Sequence, residues 1–139
     1  MVRIGILYDI LRAEEKMLIR EATSRNIKLD LIRVCTKPFE LNGGDRDDSE
    51  IFLQRCISYF RRLHSTGVLE LGNRRVVNNL MATFICGNKA FTTMALASKG
   101  IPTPKTAMAF SMESAMMALD EIGYPAVLKP VIGSWGRFV

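Results

Sequence analysis

Two lysines and one glycine-bracketed loop are the residues best placed to do chemistry. Lys89 lies in ICGNKAFT, and Lys129 follows the apolar run AVL in AVLKPVIGSWGR. Beyond Lys129 the chain reads Gly133-Ser134-Trp135-Gly136-Arg137. Two glycines let a backbone approach a ligand closely with its amides pointing inward. A lysine at a strand end adds a point charge, and an arginine adds a planar fork for two oxygens. Together these are the parts of a cradle for nucleotide phosphates. Each part alone also has an ordinary reading. A lysine at a strand end is commonly a solvated terminus, and GSWGR is equally a hairpin turn. Neither GxxxxGK nor GxGxxG occurs, so this is not a Walker loop or a dinucleotide fingerprint.

Other reactive types are sparse. Cys35, Cys56 and Cys86 are odd in number and widely spaced, and His64 is the only histidine. A zinc site or a disulfide framework is therefore not expected, and reduced thiols in a cytoplasmic protein are. Asp45, Asp47 and Asp48 cluster in TKPFELNGGDRDD, which reads as a solvated turn.

The elements that must position these groups follow from periodicity. Arg3 to Tyr8 is a short apolar run and reads as a buried strand. Leu11 to Arg25 has helical spacing, and Asp9 is placed to cap it. Strands are expected at Leu29 to Val34, Ile51 to Cys56 and Val76-Val77, with a helix from Tyr59 to Glu70. This order argues for a parallel α/β sheet, whose active loops gather at the carboxyl ends of the strands. Those ends are Tyr8-Asp9, Cys35-Thr36, Ser58-Tyr59 and Asn78. Further on, helices are expected at Asn79 to Cys86 and Lys89 to Lys99, with Gly100 as a C-terminal cap. A strand is expected at Thr106 to Phe110 and a helix at Ser111 to Ile122, capped by Ser111. A strand from Ala126 to Leu128 would deliver Lys129, and the final residues would turn into another strand.

Composition narrows the class. The 139 residues are 48% apolar and 24% charged, an ordinary globular balance. No apolar run approaches the roughly 20 residues needed to span a bilayer, and MVRIGILYDI carries no signal-peptide pattern. Residues 1–72 carry 12 basic and 11 acidic side chains, and residues 73–139 carry 7 and 3. The positive second half suits an anionic ligand. Nucleic acid is set aside, because the basic pairs Arg61-Arg62 and Arg74-Arg75 stand apart.

The ordered set GNK, GIPTPKT, GYPAVLKP and GSWGR resembles the ATP-grasp ligases of the ribosomal-protein glutamate ligase type. Within them it is most similar to the kind that joins α-aminoadipate to a small amino-group carrier protein in lysine biosynthesis. GILYDILRAEEKMLIREA and RCISYFRRLHSTGVLE extend the likeness through the first half. The resemblance implies an α/β architecture. A parallel-sheet pre-ATP-grasp domain would fill residues 1–78. The first, small α+β part of an ATP-grasp domain would fill residues 79–139, ending after the phosphate loop. It implies ATP and magnesium as cofactors, an acyl-phosphate route, and as partners an amino-acid substrate and a small acidic carrier protein. Lys89 and Lys129 match the two nucleotide-binding lysines, and Gly133, Ser134, Trp135, Gly136 and Arg137 match the mobile phosphate loop. Ser58, Tyr59, Arg61 and His64 follow a strand end where a substrate group could sit, although His64 reads first as a helix-surface residue. Family members run to about twice this length, and the half beyond this point carries the magnesium ligands. No metal ligand and no catalytic group is therefore expected here. The alternative is a non-catalytic module that binds nucleotide or self-associates through exposed faces.

Overall fold

The computed structural model describes residues 3–42 and 48–133. It divides the chain into two compact units, Met1–Phe84 and Ile85–Val139.

The first unit is built on β1 (Arg3–Tyr8), β2 (Lys28–Arg33), β3 (Ile51–Gln54) and β4 (Arg75–Val77). They form one parallel sheet in the order β2-β1-β3-β4. Ile4 lies opposite Leu29 on one side and Ile51 on the other. The crossover helices are α1 (Ala13–Ser24) and α2 (Tyr59–Leu71). Leu7, Ile32, Phe52, Cys56, Leu69 and Val76 close into the core. Burying such side chains is the main force holding the sheet to its helices. The chain leaves β1 toward β2 on one side, then returns past β1 to place β3 on the other. That reversal opens a crevice at the carboxyl ends of β1 and β3.

Gly5 shows how tight the core is. A Cβ at this position would sit 2.6 Å from Phe52 Cδ1 and 2.8 Å from Cε1. Phe52 is fully buried, so its ring has no free space to retreat into. Gly5→Ala is expected to destabilise the fold by about 1–3 kcal/mol through overpacking. A urea titration should show a lower midpoint, and an unchanged midpoint would contradict this packing.

The cap of α1 differs from the expectation. Asp9 does not cap it. The N-cap is Arg12, whose backbone N–H donates to Glu15 Oε2 at 3.0 Å. Asp9 is turned inward instead, toward residues far along the chain. In contrast, α2 starts as read, with the Ser58 hydroxyl accepting from Arg61 N–H at 3.4 Å.

The helix α3 (Leu80–Cys86) carries the chain into the second unit, which holds α4 (Lys89–Ser98) and α5 (Met112–Ile122). Asn88 caps α4 through its side-chain oxygen, which accepts from Ala90 and Phe91 N–H. Gly100 follows the C-cap with φ of 68°. Its N–H donates to Ala97 O and that of Ile101 to Leu96 O, the paired closure that favours glycine there. Ser111 caps α5 as expected.

Two expected strands are absent. Thr106 to Phe110 and Ala126 to Leu128 are irregular. A strand needs a hydrogen-bonded neighbour, and neither run has a backbone ladder among the described residues. Their side chains are instead largely exposed, with Phe110 and Leu128 well out in solvent. The strand expected in the last residues lies mostly outside the described residues, as does part of the 36–48 loop.

Candidate nucleotide and substrate sites

In the second unit, Lys89 is the first residue of α4, so the Asn88 cap fixes its backbone. Its N–H donates to Val131 O at 2.9 Å. Its ammonium donates to Pro130 O at 3.0 Å and to Gly133 O at 2.7 Å. One side chain thus pins the turn that leads into residues 134–137. An ammonium has three N–H donors, so one remains for a further acceptor. Gly133 adopts φ of 145°, a backbone conformation that L side chains rarely adopt.

Lys89 and Lys129 line one groove of about 660 Å³. Its walls are mostly apolar, with Met94, Met108, Leu119 and Val131 among them. An apolar groove with a few charged groups is the usual form of a small-molecule site. Lys129 is exposed, free to swing toward an anion. The structure therefore brings together the two lysines that lie 40 positions apart in sequence. Ser134, Trp135, Gly136 and Arg137 lie outside the described residues.

In the first unit, the crevice at the ends of β1 and β3 is organised by two buried carboxylates. Asp9 is only 3% exposed. It accepts hydrogen bonds from Ile10, Ile57 and Ser58 N–H, each at 3.0 Å. Burial pushes its carboxyl up, but these backbone donors outweigh it and leave it below the ordinary value. Arg61 Nη1 lies 3.6 Å from Asp9 Oδ2. Glu15 is fully buried. It accepts from Arg12 Nε at 2.9 Å, Arg12 Nη2 at 2.7 Å and Arg55 Nε at 2.8 Å. The Arg12 guanidinium, helped by Arg12 N–H and Arg55, outweighs burial and holds the carboxyl down to about 2.

The residues singled out near this crevice divide. Ser58 and Arg61 stand beside Asp9. Tyr59 instead donates its hydroxyl to Phe84 O at 3.4 Å, with the Arg62 guanidinium 6.0 Å from its ring centre. His64 Nδ1 donates to Phe60 O at 2.8 Å on the exposed face of α2. Arg12, Glu15 and Arg55 went unnoticed in the sequence. Their signal was an acidic pair after the first strand and an arginine closing the third.

Asp48 pairs with Arg3 at 3.1 Å, and Asp45 and Asp47 lie outside the described residues. Among the described residues no group of three or more His, Cys, Asp and Glu could hold a metal ion. No helix there is long and apolar enough to cross a membrane. The three cysteines are unpaired, and burial pushes the Cys56 thiol up to about 12.

A glutamate–LysW ligase, ArgX, of Sulfurisphaera tokodaii is 35% identical, over 99% of this chain and 49% of that protein. An α-aminoadipate–LysW ligase, LysX, of the same organism is 37% identical, over 98% of this chain and 49% of that protein. The chain thus spans about half the length of these relatives and resembles both kinds almost equally. The crystal structure of a RimK domain ATP-grasp protein from Sphaerobacter thermophilus superposes with a TM-score of 0.82 at 26% identity. That likeness covers 96% of this chain and 50% of the other. The LysX preATP-grasp domain model matches residues 4–84, more than half of the sequence, and by that match the chain belongs to this family.

Proposed function

We propose that the chain is the pre-ATP-grasp and lysine-bearing portion of an ATP-dependent carboxylate–amine ligase. It would join an amino acid to a small acidic carrier protein in the cytoplasm. The observation that carries the reading is that Lys89 and Lys129 line one apolar groove, with Lys89 pinning the turn before the glycine loop. The groove suits a nucleotide: apolar walls for the base, and two cations for its phosphates. ATP supplies the phosphoryl group that activates a carboxylate for attack by an amine. Catalysis of that kind needs phosphate charge neutralised and water excluded more than it needs a side-chain nucleophile. Lys89 and Lys129 would neutralise charge, and Lys89 would hold the turn in position. The described residues offer no site for magnesium by themselves. The metal would accompany the nucleotide, and no step is assigned to it.

Among amino acids, α-aminoadipate is the reading to test, in lysine biosynthesis, supported by the family match over residues 4–84. Because the chain spans about half of its relatives' length, the test is of binding and not of turnover. With magnesium–ATP present, calorimetry should show saturable binding of α-aminoadipate. Saturable binding of glutamate alone would move the substrate to that amino acid. No nucleotide binding would overturn the ligase reading.

A second reading rests on surface. Neither α4 nor α5 has a buried residue, and Met112, Met116 and Met117 stand exposed. Self-association through that face would give an oligomerising module. A monomer in sedimentation at high concentration would remove it.

A further inference from the structure

The arginines at the crevice of the first unit are held in an unusual way. Arg12 and Arg55 converge on the same oxygen, Glu15 Oε1, at 2.7 Å and 2.8 Å. Each spends the Nε and Nη2 edge of its guanidinium on that buried carboxylate. A guanidinium has five N–H donors in a rigid fork. Among the described residues the Nη1 groups of both make no hydrogen bond, and their side chains are 29% and 35% exposed. Arg61 is 53% exposed and makes no side-chain hydrogen bond among the described residues. It is attracted to Asp9, whose charge also acts on Arg12. Two buried carboxylates thus anchor three arginines whose side chains are partly exposed. The anchors sit where β1 and β3 end, at the reversal of strand order, the place where open parallel sheets bind ligands. Glu14 competes nearby, 3.8 Å from Arg12 Nε, and it is itself exposed.

Against the two buried carboxylates alone, three arginines leave one positive charge, which the exposed Glu14 offsets in part through water, and several planar donor pairs. We propose that Arg12, Arg55 and Arg61 form a binding site for a substrate carboxylate, with Glu15 and Asp9 as positioning residues. The choice of carboxylate over phosphate rests on the ligase reading, since such an enzyme must hold a carboxyl-bearing substrate. The carboxylate would come either from the free acidic amino acid or from the carrier protein. The site is separate from the lysine groove in chemistry and belongs to the other unit.

The test is calorimetry on the whole chain at low salt with glutarate, α-aminoadipate, a short acidic peptide and inorganic phosphate as probes. Arg61→Gln is the informative variant, because the Arg61 side chain is half exposed and makes no hydrogen bond among the described residues. Losing one charge-assisted contact should weaken dicarboxylate binding about tenfold. Arg61→Lys keeps the charge without the fork and should fall between the two. Binding of α-aminoadipate without the peptide assigns the site to the free amino acid. Binding of the peptide without α-aminoadipate assigns it to the carrier, and either supports the site. Equal dicarboxylate affinity in Arg61→Gln would overturn it, as would phosphate binding as tightly as glutarate. Magnesium–ATP is titrated in parallel. Nucleotide binding with no dicarboxylate binding defeats this site and leaves the ligase reading standing. Dicarboxylate binding with no nucleotide binding does the reverse.

Discussion

Glu15→Ala should lower the stability of the first unit by about 3 kcal/mol, the lower end for breaking a buried ion pair. The lower end applies because Arg12 and Arg55 are partly exposed and can turn toward water once Glu15 is gone. Their mutual repulsion and the lost cap on Arg12 N–H add to the cost. The acid dependence follows from the same contacts. The Glu15 carboxyl is held to about 2, against an ordinary 4.5. A depressed carboxyl stabilises the fold fully above its ordinary value, and the contribution is lost as pH falls toward its folded one. The loss should therefore run from 4.5 down to about 2 and total about 3 kcal/mol. Asp9 and Asp30 are shifted in the same direction and add to the slope. Glu15→Gln should flatten the acid limb of the stability curve while leaving the part due to those two. Urea midpoints measured through this range check it, and an acid limb of unchanged steepness in Glu15→Gln would contradict the assignment.

The same network shows what was legible in the sequence and what was not. The parallel sheet could be read because β1, β3 and β4 are short runs rich in apolar residues, while β2 alternates apolar with charged ones. The cap at Ser111 could be read because a cap bonds within three residues of itself. Asp9 could not, because its deciding partners, Ile57 and Ser58, lie 48 and 49 residues away. Proximity to the next helix made capping the natural reading, and tertiary structure overrode it. Arg55 is hidden in the same way, 40 residues from Glu15. The missing strands at 106–110 and 126–128 failed for a different reason. Their residues have strand character, but a strand is a property of a pair, and no partner lies among the described residues. The groove lysines were legible through the order of short motifs, which carried the family resemblance. That Lys89 also pins residues 130–133 was not, because carbonyl acceptors leave no trace in side-chain type.

Lys89→Ala should have the larger effect on nucleotide. It removes one cation from the groove and frees Pro130 O and Gly133 O from their shared donor. Charge-assisted contacts to phosphate are strong, so affinity should fall by about tenfold to a hundredfold. Lys129→Ala removes charge without disturbing the turn. Because Lys129 is exposed and screened, about tenfold is expected from it. The two variants therefore separate charge from loop positioning. A neutral change at Lys89 would mean that the turn holds itself and the ammonium serves no ligand.

The decisive measurement is calorimetric titration of the chain with magnesium–ATP, with Lys129→Ala beside it. The parent chain should bind saturably and the variant clearly more weakly. Equal binding by both, or none by the parent, would contradict a nucleotide site built on Lys89 and Lys129.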